Sequence, residues 1–151
     1  MPNWCYNRIT IFGDSETEAK LKEIEETFRK AQPFNEIYPI PDFKTIPRED
    51  GQLPVLEQQL NKDGSVFYET YNFPDGKNDD RWYHWCIDNW GTKWDADMHD
   101  IEYNDSEILE LTFNTAWSPP EGVMEKLREK YPELSFQCFY DEPGMEASGY
   151  Y

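Results

Sequence analysis

Along this chain, apolar residues alternate with polar ones in three stretches and recur at helical spacing between them. The run Trp4-Cys5-Tyr6-Asn7-Arg8-Ile9-Thr10-Ile11-Phe12 is rich in β-branched and aromatic residues, and its odd members Cys5, Ile9 and Ile11 define one apolar face of a strand. Ser15-Glu16-Thr17-Glu18 has the form of a capping box, which predicts a helix opening at Ser15. Leu21, Ile24 and Phe28 give that helix a narrow apolar stripe, and Pro33 predicts its end near Ala31. Further on, residues 98–104 and 107–117 read as strands joined by the turn Asn104-Asp105-Ser106. In the second of these Leu109, Leu111, Phe113, Thr115 and Trp117 alternate with Ile108, Glu110, Thr112, Asn114 and Ala116. Ser118-Pro119-Pro120-Glu121 predicts another capped helix start, with Val123, Leu127 and Tyr131 on its apolar side and Pro132 as its stop. Leu134, Phe136, Cys138 and Tyr140 alternate in a last strand, and the tail from Pro143 reads as loose apart from Tyr150 and Tyr151, which are able to dock.

The middle of the chain is less regular. Pro33, Pro39, Pro41, Pro47, Pro54 and Pro74 exclude any long element across residues 33–78. Short strands are expected at Glu36-Ile37-Tyr38 and over residues 65–71, the latter after a turn at Asn61-Lys62-Asp63-Gly64. A tryptophan-rich helix follows, in which Trp82, Trp85, Cys86, Asn89 and Trp90 share a face, Tyr83 and Ile87 add apolar surface beside it, and Gly91 stands at the C′ position. Apolar surface on two sides predicts that this helix is buried between layers.

With residues 32–97 set aside as an inserted aromatic-rich lobe, the order is strand, helix, strand, strand, helix, strand. That predicts an α+β fold of the ferredoxin-like βαββαβ type, an antiparallel sheet with both helices on one face. The insert falls between the first helix and the second strand. The reading is of a single domain over residues 1–151, with the insert placed to cover the open face of the sheet, where Trp4 and Tyr6 would otherwise meet water.

Composition supports a folded chain and narrows its chemistry. Aromatics make up 17% of the residues, far more than disordered chains carry. Four of the six tryptophans fall between Trp82 and Trp94. The formal net charge is -17, and nine acids but no Lys or Arg lie between Lys93 and Lys126. Such a surface repels phosphate backbones and anionic membranes and attracts basic proteins. Cys5, Cys86 and Cys138 are odd in number and widely spaced, which argues against disulfides or a cysteine zinc site and for a reducing, cytoplasmic setting. No signal sequence and no apolar run of membrane-spanning length is read.

Four motifs carry a family resemblance: Asn3-Trp4-Cys5-Tyr6-Asn7, Asn89-Trp90-Gly91-Thr92-Lys93-Trp94-Asp95, Thr115-Ala116-Trp117-Ser118-Pro119-Pro120 and Tyr140-Asp141-Glu142-Pro143-Gly144. In their order and their use of Trp they resemble the YubB ferredoxin-like family of bacteria, their plasmids and phages. The resemblance spans positions 3 to 144 and implies the ferredoxin-like fold, with no particular activity attached.

Catalytic constellations are missing. There is no GxxxxGK[ST], GxGxxG or GxSxG motif, and two histidines leave little for a nucleophile–base pair. The acidic run from Asp95 to Glu102 fails as an EF-hand loop, since Asp100 replaces the turn glycine and Ser106 the bidentate Glu. A solvated acidic loop is expected, with no metal and no cofactor. An RNA platform of Trp4, Tyr6 and Trp117 is opposed by the charge and by the lack of a basic RNP1-type strand. Two candidate sites remain. Exposed acids Asp97, Asp100, Glu102, Asp105 and Glu107 suit a basic protein partner, which makes the chain a non-enzymatic interaction module of a mobile element; a phage-type inhibitor that imitates phosphates is its sharper form. The alternative is a small-ligand binder or enzyme with a pocket between sheet and insert, formed by Asn7, Trp90, Lys93, Trp94, Asp95 and Asn114. In the bland version of that second site, Lys93 simply lies against an indole and pairs with Asp95. Oligomeric state is left open.

Overall fold

The computed structural model describes residues 2–151, and Met1 lies outside the described residues. In chain order the elements are β1 (Trp4–Phe12), α1 (Glu18–Phe28), α2 (Pro33–Ile37), β2 (Val55–Leu60), β3 (Val66–Asn72), α3 (Arg81–Asn89), β4 (Asp97–Tyr103), β5 (Ile108–Ala116), α4 (Glu121–Lys130), β6 (Ser135–Glu142) and β7 (Ala147–Tyr150). They fall into two compact units, one containing the chain up to Pro39 together with Cys86–Tyr151, the other Ile40–Trp85.

In the larger unit the antiparallel sheet has the order β4-β5-β1-β6-β7. Its first four strands, with α1 and α4 packed on one side, make the ferredoxin-like arrangement; β7 extends it by one strand. The parity of the sequence decides which side is covered. Cys5, Ile9 and Ile11 of β1 and Leu109, Leu111 and Phe113 of β5 are buried against Leu21, Ile24 and Phe28 of α1 and Val123, Met124 and Leu127 of α4. Phe113 stacks on Phe28 with centroids 6.0 Å apart and meets the edge of Phe34 at 5.6 Å. Aromatic pairs of this kind contribute about 0.5–1.5 kcal/mol beyond their burial.

Several local expectations are corrected. Helix α1 opens at Glu18, not at Ser15, because the Asp14 carboxylate accepts from the N–H groups of Glu16 and Thr17 (2.9 and 3.0 Å) and winds residues 15–17 into a preceding turn. Ser118 is not a cap: its hydroxyl donates to the Gly91 carbonyl, and α4 starts after Pro120. Glu36-Ile37-Tyr38 is no strand but the end of helix α2 and its C-cap. The tail is not loose. The chain forms β7 against β6, the Tyr151 hydroxyl donates to Asn7 Oδ1 (2.8 Å), and Arg128 donates to the Tyr151 carbonyl (2.8 Å). Helix α3 is not buried on two sides; Cys86 is enclosed, whereas Trp82, Tyr83 and Ile87 are exposed.

The junction of α3 with α4 is made by backbone. The Gly122 N–H donates to the Trp90 carbonyl (3.1 Å), and a Cβ added at Gly122 would lie 1.6 Å from the Asn89 carbonyl oxygen. Gly91 ends α3 with φ +90 and itself lies against Pro119, so neither glycine tolerates a side chain.

The smaller unit has little apolar interior. Its β2–β3 hairpin exposes Val55, Leu60, Val66 and Phe67. Around the buried Phe73 gather two guanidinium groups, Arg48 at 4.2 Å and Arg81 at 5.3 Å from the ring centroid. Arg81 is held in turn by Asp79 (2.9 Å) and Arg48 by Asp50 and Asp75 (2.8 and 3.0 Å). Cation–π contacts and ion pairs thus take the place of a packed core.

Candidate functional site

The six residues of the ligand-pocket expectation are placed on different sides of the sheet. Asn7 shares the helix-facing side with Cys5 and Ile9; its amide donates to the Cys5 carbonyl (3.1 Å) and Thr115 Oγ1 (2.9 Å) and accepts from Tyr151. Trp90 is buried against Phe34, and its indole N–H donates to the Tyr38 carbonyl (2.8 Å). Asp95 receives the Phe34 and Asn35 N–H groups (2.9 and 3.0 Å), so it caps α2. Burial pushes its carboxyl above the usual carboxylate range, and those backbone donors oppose the shift. Asn114 stands on the opposite side from Asn7, beside Tyr6 and Asp97. The Lys93 ammonium lies 4.2 Å from the Trp94 ring centroid, and Trp94 sits 6.4 Å from Trp4. The structure therefore brings Lys93 and Trp94 together with Trp4, but commits Asn7, Trp90 and Asp95 to the framework.

The side of the sheet away from the helices is more open. Its cross-strand rows run Asp97, Asn114, Tyr6, Asp141, Ser148; then Asp100, Thr112, Arg8, Phe139, Tyr150; then Glu102, Glu110, Thr10, Gln137. Aromatic side chains occupy the middle, where Arg8 lies 5.1 Å from the Phe139 centroid. Trp117, just beyond β5, is exposed with φ +70. Acids gather towards β4. Glu102 lies beside Asp100 and faces Glu110 across the ladder, and its carboxyl is pushed up chiefly by the Asp100 carboxyl and then by the negative charge of Glu110. Asp105 and Glu107 continue the acidic surface through the β4–β5 turn, with Asp105 at φ 65. Asp97, Asp100, Glu102, Asp105 and Glu107 are all exposed, and among the described residues none has a Lys or Arg within ion-pair distance. No three His, Cys, Asp or Glu among the described residues converge on a metal position.

A groove not foreseen from the sequence lies on the helix side of this same edge. It is an open groove of about 470 Å³ between the end of α1 and β4, in which Phe28, Ala31, Met98 and Ile101 give an apolar wall and Arg29, Lys30, His99 and Asp100 a polar one. The available signal was Met98 and Ile101, apolar residues within the acidic run of β4. Another residue missed is Glu142. It is buried at the end of β6, where Oε2 accepts from the Met145 N–H and Oε1 has no hydrogen-bond partner among the described residues.

Residues 89–151 match the family model described as a ferredoxin-like domain in Api92-like protein. Among solved structures, the chain is similar to protein Api92 from Yersinia pseudotuberculosis, with a TM-score of 0.54 and 13% identity over 99% of this chain and 93% of that one. At that identity the likeness establishes the fold alone. Curated proteins yield no match. No helix among the described residues is long and apolar enough to cross a membrane.

Proposed function

We propose that this protein is a non-enzymatic interaction module that holds a basic protein partner on the acidic surface of β4 and the β4–β5 turn. The observation that carries the reading is the uncompensated charge there. Among the described residues, none of Asp97, Asp100, Glu102, Asp105 and Glu107 has a Lys or Arg within ion-pair distance, and Glu102 is pressed by the neighbouring Asp100 carboxyl. Like charges held together are relieved by a cation from outside, and a net charge of -17 steers a basic partner towards the molecule. The four-motif resemblance to the YubB family supports a mobile-element setting. In its sharper form, the acids imitate phosphates on a host protein that binds nucleic acid. Three buried free thiols suit a reducing cytoplasm.

The test is capture from bacterial lysate on immobilised protein, washed at rising salt, beside a variant with Asp97, Asp100, Glu102 and Glu107 reversed to Lys. A basic protein retained at low salt, released at high salt and absent from the reversed variant is the expected result. Equal capture by both proteins would overturn the reading.

A further inference from the structure

We infer that the outer edge of β4 is a strand-addition site for an extended segment in which basic and apolar residues alternate, with the Asp100 carboxylate as the latch that selects it. This rests on the acidic-surface reading and adds the geometry of capture. Strand β4 ends the sheet, and no described strand pairs with its outer side. The hairpin bond from the Asn104 N–H to the Ile108 carbonyl (2.9 Å) sets the phase of the ladder. Counting back through the antiparallel register, Glu102 bonds inward to Glu110, while Ile101 and Tyr103 turn their backbone groups outward.

One of those outward groups is already occupied. The Ile101 N–H donates to Asp100 Oδ1 at 2.9 Å. A carboxylate over an edge N–H, next to the ladder irregularity between Met98 and Asp100, protects the edge against indiscriminate pairing. That protection is conditional on charge. Asp100 is crowded by Glu102, so a lysine or arginine on an approaching strand draws the carboxylate towards itself and frees the N–H. A neutral or acidic strand leaves the latch closed.

The two sides of the edge set the pattern of the incoming segment. Side chains of an added strand alternate between the two faces of the sheet. On the helix side they enter the groove, where Phe28, Ala31, Met98 and Ile101 offer apolar contact between the polar side chains of Arg29, Lys30 and His99. On the other side they meet Asp100 and Glu102, which favours Lys or Arg. The groove's own cations do not oppose this, because Arg29 pairs with Glu25 (2.8 Å) and Lys30 with Glu36 (3.4 Å). Seven residues of β4 offer about 20 Å of edge, enough for a segment of roughly six residues.

The probe is a synthetic amidated heptapeptide alternating lysine and valine, compared with a block peptide of the same composition. Binding is read by fluorescence anisotropy, and backbone amide exchange is followed by NMR in the unmodified protein. The alternating peptide should bind roughly tenfold tighter than the block peptide, and the Ile101 and Tyr103 amides should gain protection on binding. Ile101→Pro, which removes the outward N–H without changing charge, should lose about the same factor, since edge positions accept proline. The double change Asp100→Asn with Glu102→Gln should weaken binding as well. If neither amide gains protection, or both peptides bind alike while the amide-for-acid variant still weakens, strand addition is overturned and the acidic-surface reading stands. If the amide-for-acid variant binds both peptides as the unmodified protein does, both fall.

Discussion

Substituting Gly122 by Ala sets two well-known effects against each other. Ala is the better helix former by about 1 kcal/mol, so propensity alone predicts that Gly122→Ala stabilises α4. Packing predicts the opposite. The new Cβ would lie 1.6 Å from the Asn89 oxygen and 2.8 Å from its carbonyl carbon, well inside any real contact. Retreat is blocked on several sides, because the Trp90 carbonyl is held by the Gly122 N–H, the Gly91 carbonyl by Ser118, and the Trp90 indole by Tyr38. Overpacking of this sort costs about 1–3 kcal/mol and sometimes more. The backbone bond from Gly122 to Trp90 adds about 1 kcal/mol when lost. After subtracting the propensity gain, the net destabilisation is about 1–3 kcal/mol. With a urea m-value of about 2 kcal/mol/M, the unfolding midpoint should fall by about 0.5–1.5 M, followed by near-UV circular dichroism. A midpoint that is unchanged or higher would refute the claim that these backbones are in contact.

Asp95→Ala should cost about 1–3 kcal/mol through loss of the α2 cap, seen as a lower melting temperature, whereas loss of a ligand alone would leave the melt unaltered. Burial raises the thiols of Cys5, Cys86 and Cys138 to about 11, so none should react with Ellman's reagent in the native state at pH 8, while all three should react once the chain is denatured. The Arg81 guanidinium holds the Asp79 carboxyl below its ordinary value. The stability this gives is present above the unfolded carboxylate value of about 3.9 and is lost as pH falls through the folded one. Amide protection in residues 40–85 should therefore drop on acidification, and Asp79→Asn should reduce that pH dependence, the remainder coming from Asp50 and Asp75, which pair with Arg48 and whose carboxyls are also held low.

Much of the ferredoxin-like unit was legible because burial on one side imposes parity. Odd positions of β1 and β5 are buried and, apart from Asn7 and Thr115, apolar, and the helices between carry matching stripes. Parity also bears on the ligand pocket: Asn7 keeps step with Cys5 and Ile9, while Asn114 is out of step with Leu111 and Phe113, so the two amides belong to opposite sides. What stayed hidden lacked a local cause. The six residues of β2 are all exposed, so no buried face wrote a pattern into Val55-Leu56-Glu57-Gln58-Gln59-Leu60. Strand β7, Ala147-Ser148-Gly149-Tyr150, has poor strand propensity and is ordered by the edge of β6. Helix α2 is capped by Asp95, about sixty residues away, which no local rule detects. The acids of β4 were plain in the sequence, but the groove behind them needs the end of α1 to lie alongside.

The place of β1 has a consequence for synthesis. It precedes both of its partners in the chain and is the central strand of the sheet, flanked by β5 and β6. Both partners lie about 100 residues or more downstream, which at 5–20 residues per second is roughly 5–20 s of translation. Throughout that interval a nine-residue strand with one apolar face has two unsatisfied edges and only α1 to shelter that face. Nascent chains of this protein are therefore open to chaperone holding and to aggregation during elongation. Slower codons between β1 and β5 would lengthen the exposure without altering a single residue of the product.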